Sequence, residues 1–203
     1  MKLTVVSAGL SVPSSTRLLA DRLTAAVQAQ AQGPVDVRVV EVRELAVEIA
    51  QNFTSGFPGR ALSEALDAVA SADGLIVVTP VFSASYSGLF KSFFDLLDKD
   101  ALGGKPVLLA ATGGSARHSL VLEHALRPLF AYLRALTVPT AVYAASEDWG
   151  AAGLDGRIER AAGELAGLMT GAALHHAPRA GGTPGDDFTV VPFEEQLAAL
   201  QAE

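Results

Sequence analysis

LTVVSAGLSVPSSTRLLADRLTAAVQAQAQ, from Leu3 to Gln32, holds one complete unit of the pattern that decides the fold. Leu3 to Ser7 (LTVVS) is a short, β-branched run without strong alternation, the signature of a strand buried on both faces. A loop rich in Ser, Gly and Pro follows. Thr16 to Gln32 then reads as a helix with Leu18, Leu19, Leu23, Ala26 and Val27 on one side, and Gly33-Pro34 ends it. Outward from this unit the pattern repeats. Val35 to Val42 alternates as a second strand. The stretch from 43 is ambiguous, and Gln51 to Gly59 (QNFTSGFPG) reads as a loop. Ala61 to Ala72 is a helix, Leu75 to Thr79 (LIVVT) a buried strand, Pro80 to Ser87 a loop, and Leu89 to Asp98 a helix. Pro106 to Ala111 is the fourth strand, followed by a long helix over Ala116 to Ala135 and a fifth strand over Val138 to Ala144. Asp155 caps a last helix that runs to about Thr170.

Strands that alternate with crossover helices imply a parallel sheet covered on both faces. Five of them fit the flavodoxin-like doubly wound α/β fold with strand order 2-1-3-4-5. The 203 residues suit one such domain over residues 1–172, with 173–203 as a C-terminal appendage of different texture. Half of the residues are apolar and 18% are charged, enough for a sizeable core. The formal net charge of −7 and the pI near 5.1 argue against a general nucleic-acid or acidic-membrane binder. Cysteine is absent, which excludes disulfides, thiolate metal sites and a cysteine nucleophile. No apolar run is long enough to span a bilayer, and the start lacks the length of a secretory signal, so a cytoplasmic location is the expectation.

In open α/β sheets, ligands bind outside the carboxyl ends of the strands. Three loops leave those ends. Ser7 to Thr16 (SAGLSVPSST) runs into a helix N-terminus, where free N–H groups and hydroxyls suit a phosphate and Arg17 adds a charge. Ser14 or Ser15 equally suits plain helix capping. Pro80 to Ser87 (PVFSASYS) offers Phe82 to a planar ring, although both of its aromatics also suit the core. Thr112 to His118 (TGGSARH) carries paired glycines that allow close backbone approach, or merely a turn. Together the three loops surround one crevice. No GxGxxG, Walker A, HExxH or GxSxG motif is present.

With these loops in view the sequence resembles the NAD(P)H-dependent FMN reductases of two-component monooxygenase systems, in particular the alkanesulfonate- and methanesulfonate-type flavin reductases. The resemblance is carried by SAGLSVPSSTRLLADRL (Ser7 to Leu23) and by P-V-x-x-x-S-x-S-G-x-x-K, K-P-V-L…A-T-G-G-S…H and A-L-R-P between Pro80 and Leu133. It covers roughly residues 1–170. It implies FMN, NADPH or NADH as hydride donor, a homodimer or homotetramer, and a possible flavin-dependent monooxygenase as partner. It places the FMN phosphate on Ser7, Ser14, Ser15, Thr16 and Arg17. It lines the isoalloxazine with Pro80, Val81, Phe82 and Ser83, and closes its other edge with Thr112, Gly113, Gly114, Ser115 and His118. No obligatory acid, base or nucleophile is implied, because hydride transfer belongs to the cofactors. A quinone or azo reductase, or an electron carrier without NAD(P)H activity, are the alternatives on the same fold.

Pro128 lies inside the long helix and has no N–H for the carbonyl of His124. A kink or a local π-bulge is therefore expected there. The resemblance places such a bulge, with His124 in it, at a subunit interface near the flavin.

Overall fold

The computed structural model describes residues 1–172; the appendage expected over 173–203 lies outside the described residues. Five positions across one sheet are filled by parallel strands. β1 (Lys2–Ser7) pairs with β2 (Asp36–Glu41) on one side and β3 (Gly74–Phe82) on the other. β3 pairs with β5 (Pro106–Gly113), and the outer position beyond β5 is shared by β6 (Leu136–Thr137) and β7 (Val142–Ala145). A two-residue strand, β4 (Ser85–Tyr86), returns antiparallel on the end of β3. The order across the sheet is the flavodoxin-like 2-1-3-4-5 expected from the sequence, with the fifth position broken in two. The break falls at Pro139, which has no N–H for a ladder. The fifth strand thus departs from the continuous 138–144 run.

The helices are α1 (Ser15–Gln30), α2 (Ala46–Ser55), α3 (Arg60–Ala70), α4 (Gly88–Phe94), α5 (Arg127–Tyr132) and α6 (Ala152–Ala172). Side chains alternate across β3 and feed two cores. Ile76 and Val78 join Leu3, Val5, Leu19 and Leu165 beneath α1 and α6. Leu75 and Val77 join the opposite core, where Phe90, Phe94 and Phe130 meet with ring centroids 4.7 and 5.0 Å apart. The Phe90–Phe94 pair is tilted and the Phe94–Phe130 pair edge-on, so both avoid the disfavoured face-to-face sandwich.

Three local readings are corrected. Gln51 to Ser55 is helical, the last turn of α2, and Gly56 closes it in the left-handed conformation at φ +77°. The glycine and proline that read as a loop thus mark only the end of this helix. The run from Pro80 is not a loop throughout, because β3 extends to Phe82 before the hairpin. The single helix expected over 116–135 is three pieces: a 3-10 turn at Ala116–His118, a π-helical turn at Leu122–Leu126, and α5. The π register shows in the Arg127 N–H donating to the Leu122 carbonyl, five residues back. Pro128, next in line, has no N–H to offer, so the expected bulge forms immediately before it.

At the opposite end of the sheet from the crevice, Lys105 is 2% exposed, and its Nζ donates to the carbonyls of Val69 (2.7 Å) and Ala70 (2.6 Å). It satisfies the C-terminal carbonyls of α3 and meets the negative end of that helix dipole. Burial lowers its pKa from 10.5 to about 8, opposed by the charge of Asp73. Below the folded value both states hold the proton. Between the folded and unfolded values only the unfolded chain holds it, so this group adds stability as pH rises. Urea unfolding should therefore show wild-type protein gaining on Lys105→Met between about pH 7 and about pH 10. A stability difference that stays flat over that range would contradict the assignment.

Candidate functional site

The loops after β1, β3 and β5 meet around a cleft of about 380 Å³. Ser14, Ser15 and Thr16 line it from the first loop, Pro80, Val81 and Phe82 from the second, and Thr112, Gly113 and Gly114 from the third. Leu10, Ser11 and Ser146 complete the wall. Ser146 was not expected; its only sequence signal is its place directly after the last strand, where the fifth loop of such a sheet must begin.

The first loop delivers its donors through a helix cap. Ser14 has extended backbone, and its hydroxyl accepts from the Arg17 N–H at 3.2 Å. That leaves the first N–H groups of α1, on Ser15 and Thr16, without a carbonyl one turn back. Capping and ligand binding are thus not alternatives here, because the cap orients the free donors. Gly9 permits this geometry: a Cβ there would lie 2.0 Å from the Ser14 hydroxyl.

Thr16 also fastens this loop to the third. Its hydroxyl is 2.8 Å from that of Thr112, and both residues are buried. A second strut holds the glycine loop, where the Tyr143 phenol donates to the Ser115 carbonyl at 2.8 Å. A Cβ on Gly113 would fall 2.1 Å from that phenol oxygen, whereas one on Gly114 would meet nothing within 4 Å. Gly113 therefore makes room for the tyrosine beneath, and Gly114 faces the opening. Burial, and the charges of Glu147 and Asp148, raise the Tyr143 pKa above its usual value, so it stays a neutral donor.

The second loop is a hairpin, Val81↔Tyr86 and Phe82↔Ser85, with Ser83 and Ala84 both at positive φ (49° and 65°). This is the two-residue turn that favours Asn-Gly. Non-glycine residues in the left-handed region cost on the order of 1–3 kcal/mol each. The hairpin is anchored at its base, where the Thr79 hydroxyl accepts from the Ser87 N–H at 3.0 Å and Ser87 caps α4 through the Phe90 N–H. Phe82 stays 48% exposed at the cleft.

Five expected residues do not line this cleft. Ser7 lies on the same strand face as Val5, beneath α1. It is fully buried, and its hydroxyl has no hydrogen-bond partner among the described residues. Arg17 points away to Glu41 (2.5 Å) and Asp21 (2.7 Å), and these carboxylates raise its pKa. Ser83 is the exposed hairpin tip, Ser115 contributes its carbonyl to Tyr143, and His118 lines a neighbouring pocket. Among the described residues, no cationic side chain lines the cleft. Its donors are hydroxyls and backbone N–H groups at a helix N-terminus, a set that suits a phosphate monoester. An exposed aromatic and a glycine-walled edge suit a flat ring beside it.

The model of the NADPH-dependent FMN reductase family matches residues 1–150. The chain belongs to that family. An FMN reductase (NADPH) of Pseudomonas aeruginosa is 43% identical over 148 residues, covering 73% of this chain and 78% of the relative. The NADH-dependent FMN reductase SfnE of Pseudomonas putida is 40% identical over 184 residues, covering 88% and 96%. A crystal structure of an oxidoreductase from Corynebacterium diphtheriae superposes with a TM-score of 0.82 at 51% identity, covering 84% of this chain and 97% of that one.

For this FMN reductase family member, Gly113→Val should force the Tyr143 phenol or the glycine loop to move. Overpacking of this kind costs about 1–3 kcal/mol. The expected result is a folded protein of lowered melting temperature, by circular dichroism, that no longer quenches flavin fluorescence. Wild-type flavin affinity in the folded variant would remove this loop from the site.

Proposed function

We propose that this chain catalyses NAD(P)H-dependent reduction of FMN and releases FMNH2 to a partner flavin-dependent monooxygenase. The observation that carries the reading is the uncharged phosphate cradle at the start of α1, set beside Phe82 and the glycine loop, in a chain of the FMN reductase family. Ser14, Ser15, Thr16 and the first N–H groups of α1 hold the phosphate. Pro80 to Phe82 line one side of the isoalloxazine, and Thr112 to Gly114 border its other edge. FMN supplies hydride-accepting chemistry when bound, and the protein supplies position, dryness and a fixed field. Such a site needs no protein acid, base or nucleophile. Relatives named for NADPH and for NADH both support a reduced nicotinamide as donor.

The assembly that goes with this reading is a homodimer or homotetramer. It is supported by Leu120 (61% exposed) and Tyr132 (85% exposed), apolar side chains on either side of the π-helical turn. No helix among the described residues is long and apolar enough to cross a membrane.

The test is steady-state oxidation of NADPH and of NADH with FMN in excess and no other acceptor. Sustained turnover that saturates with FMN is the expected result. Turnover only with a quinone or azo dye would replace this reading by a reductase that retains its flavin. No nucleotide oxidation with any acceptor would leave an electron carrier.

A further inference from the structure

The first loop crosses the end of the sheet with few bonds to hold its tip. Its base is fixed where the Ala8 N–H donates to the Val78 carbonyl at 2.9 Å, and its far end where Ser14 caps α1. Leu10 to Pro13, between these points, are exposed. The Ser11 hydroxyl donates only locally, to the Pro13 carbonyl. Among the described residues, one hydrogen bond ties the tip to a distant part of the chain. Arg43, in the short 3-10 turn after β2, donates from Nη1 to the Ser11 carbonyl at 3.2 Å.

Arg43 is half-buried and makes no ion pair among the described residues. Arg17, inside the first turn of α1, is taken by Glu41 and Asp21. Arg43 instead gives its hydrogen bond to a backbone carbonyl of the cleft wall. The Ser11–Val12 peptide is trans, so its carbonyl and its N–H point opposite ways. That N–H, on Val12, has no partner among the described residues. β2 lies on one side of β1, whereas β3 and β5, whose loops wall the cleft, lie on the other.

We propose that Arg43 is a positioning residue for the phosphate: from the β2 side it fixes the Ser11–Val12 peptide, so that the Val12 N–H faces the cleft beside the first N–H groups of α1. This rests on the reading of the first loop as the phosphate holder. A guanidinium suits the task, because its charge is permanent and its planar fork is rigid. A charged donor also holds a carbonyl more firmly than a neutral one. A tip held in this way before binding lowers the cost of ordering it around the ligand.

The test is calorimetry of Arg43→Gln and Arg43→Lys with FMN and with riboflavin, circular dichroism confirming the fold of each. Arg43→Gln should bind FMN about tenfold more weakly, with riboflavin affinity unchanged. Arg43→Lys, which keeps a charged donor, should recover most of the loss. The phosphorus NMR line of bound FMN should move in Arg43→Gln and return toward the wild-type position in Arg43→Lys. The ratio of wild-type to Arg43→Gln affinity should persist at about 1 M salt, where the screening length is roughly 3 Å, because a fixed peptide is not screened as a distant charge is. An FMN preference unchanged in Arg43→Gln, equal losses for both flavins, or a loss that vanishes in salt would overturn the proposal. Wild-type protein that binds the two flavins equally would instead sink the phosphate reading on which it rests.

Discussion

Strand β3 is buried on both faces and paired along both edges, and the rest of the molecule is arranged by that constraint. A parallel strand so placed is almost continuously apolar, with Thr79 as the exception here, and its neighbours must be reached by crossovers that cover both sheet faces. All three central strands then point the same way, so the loops after β1, β3 and β5 leave from one edge. The cleft is the gap those loops cannot fill. Its position follows from the topology and its chemistry from the few residues that leave each strand end.

Those residues do more holding than binding. The Thr16–Thr112 hydroxyl pair joins the first loop to the third, and the Tyr143 phenol pins the Ser115 carbonyl. Thr79 and Ser87 fix the base of a hairpin whose tip carries two strained residues. A buried hydroxyl left without its partner costs about 1–3 kcal/mol, so each of these contacts constrains the loops it joins. The outcome is a site whose donors stand in place before any ligand arrives, which lowers the ordering cost of binding.

The sheet order was legible because buried parallel strands announce themselves, LTVVS and LIVVT above all. The π-helical turn was legible from Pro128, since a missing N–H inside a helix has few structural solutions. Nine of the cleft residues were legible from strand-end position. What sequence could not reveal was direction. Ser7 belongs to the first loop by sequence and to the core by the two-residue period of its strand. Arg17 suits a phosphate by type and is taken by Glu41, a residue 24 positions away on the neighbouring strand. The split of the fifth strand and the small glycine side facing Tyr143 are likewise set by contacts between distant segments. Local composition misled at Gln51–Gly59, where a glycine that ends a helix read as the loop itself.

The central claim is that the first loop recognises a phosphate with hydroxyls and helix N–H groups. Isothermal titration of wild-type protein and of Ser15→Ala with FMN and with riboflavin tests it most directly, because the two flavins differ only in the phosphate. The account predicts that wild-type protein binds FMN more tightly than riboflavin, and that Ser15→Ala weakens FMN by up to about 1.5–3 kcal/mol while leaving riboflavin nearly unchanged. Equal affinity for the two flavins, or equal losses in the variant, would contradict it.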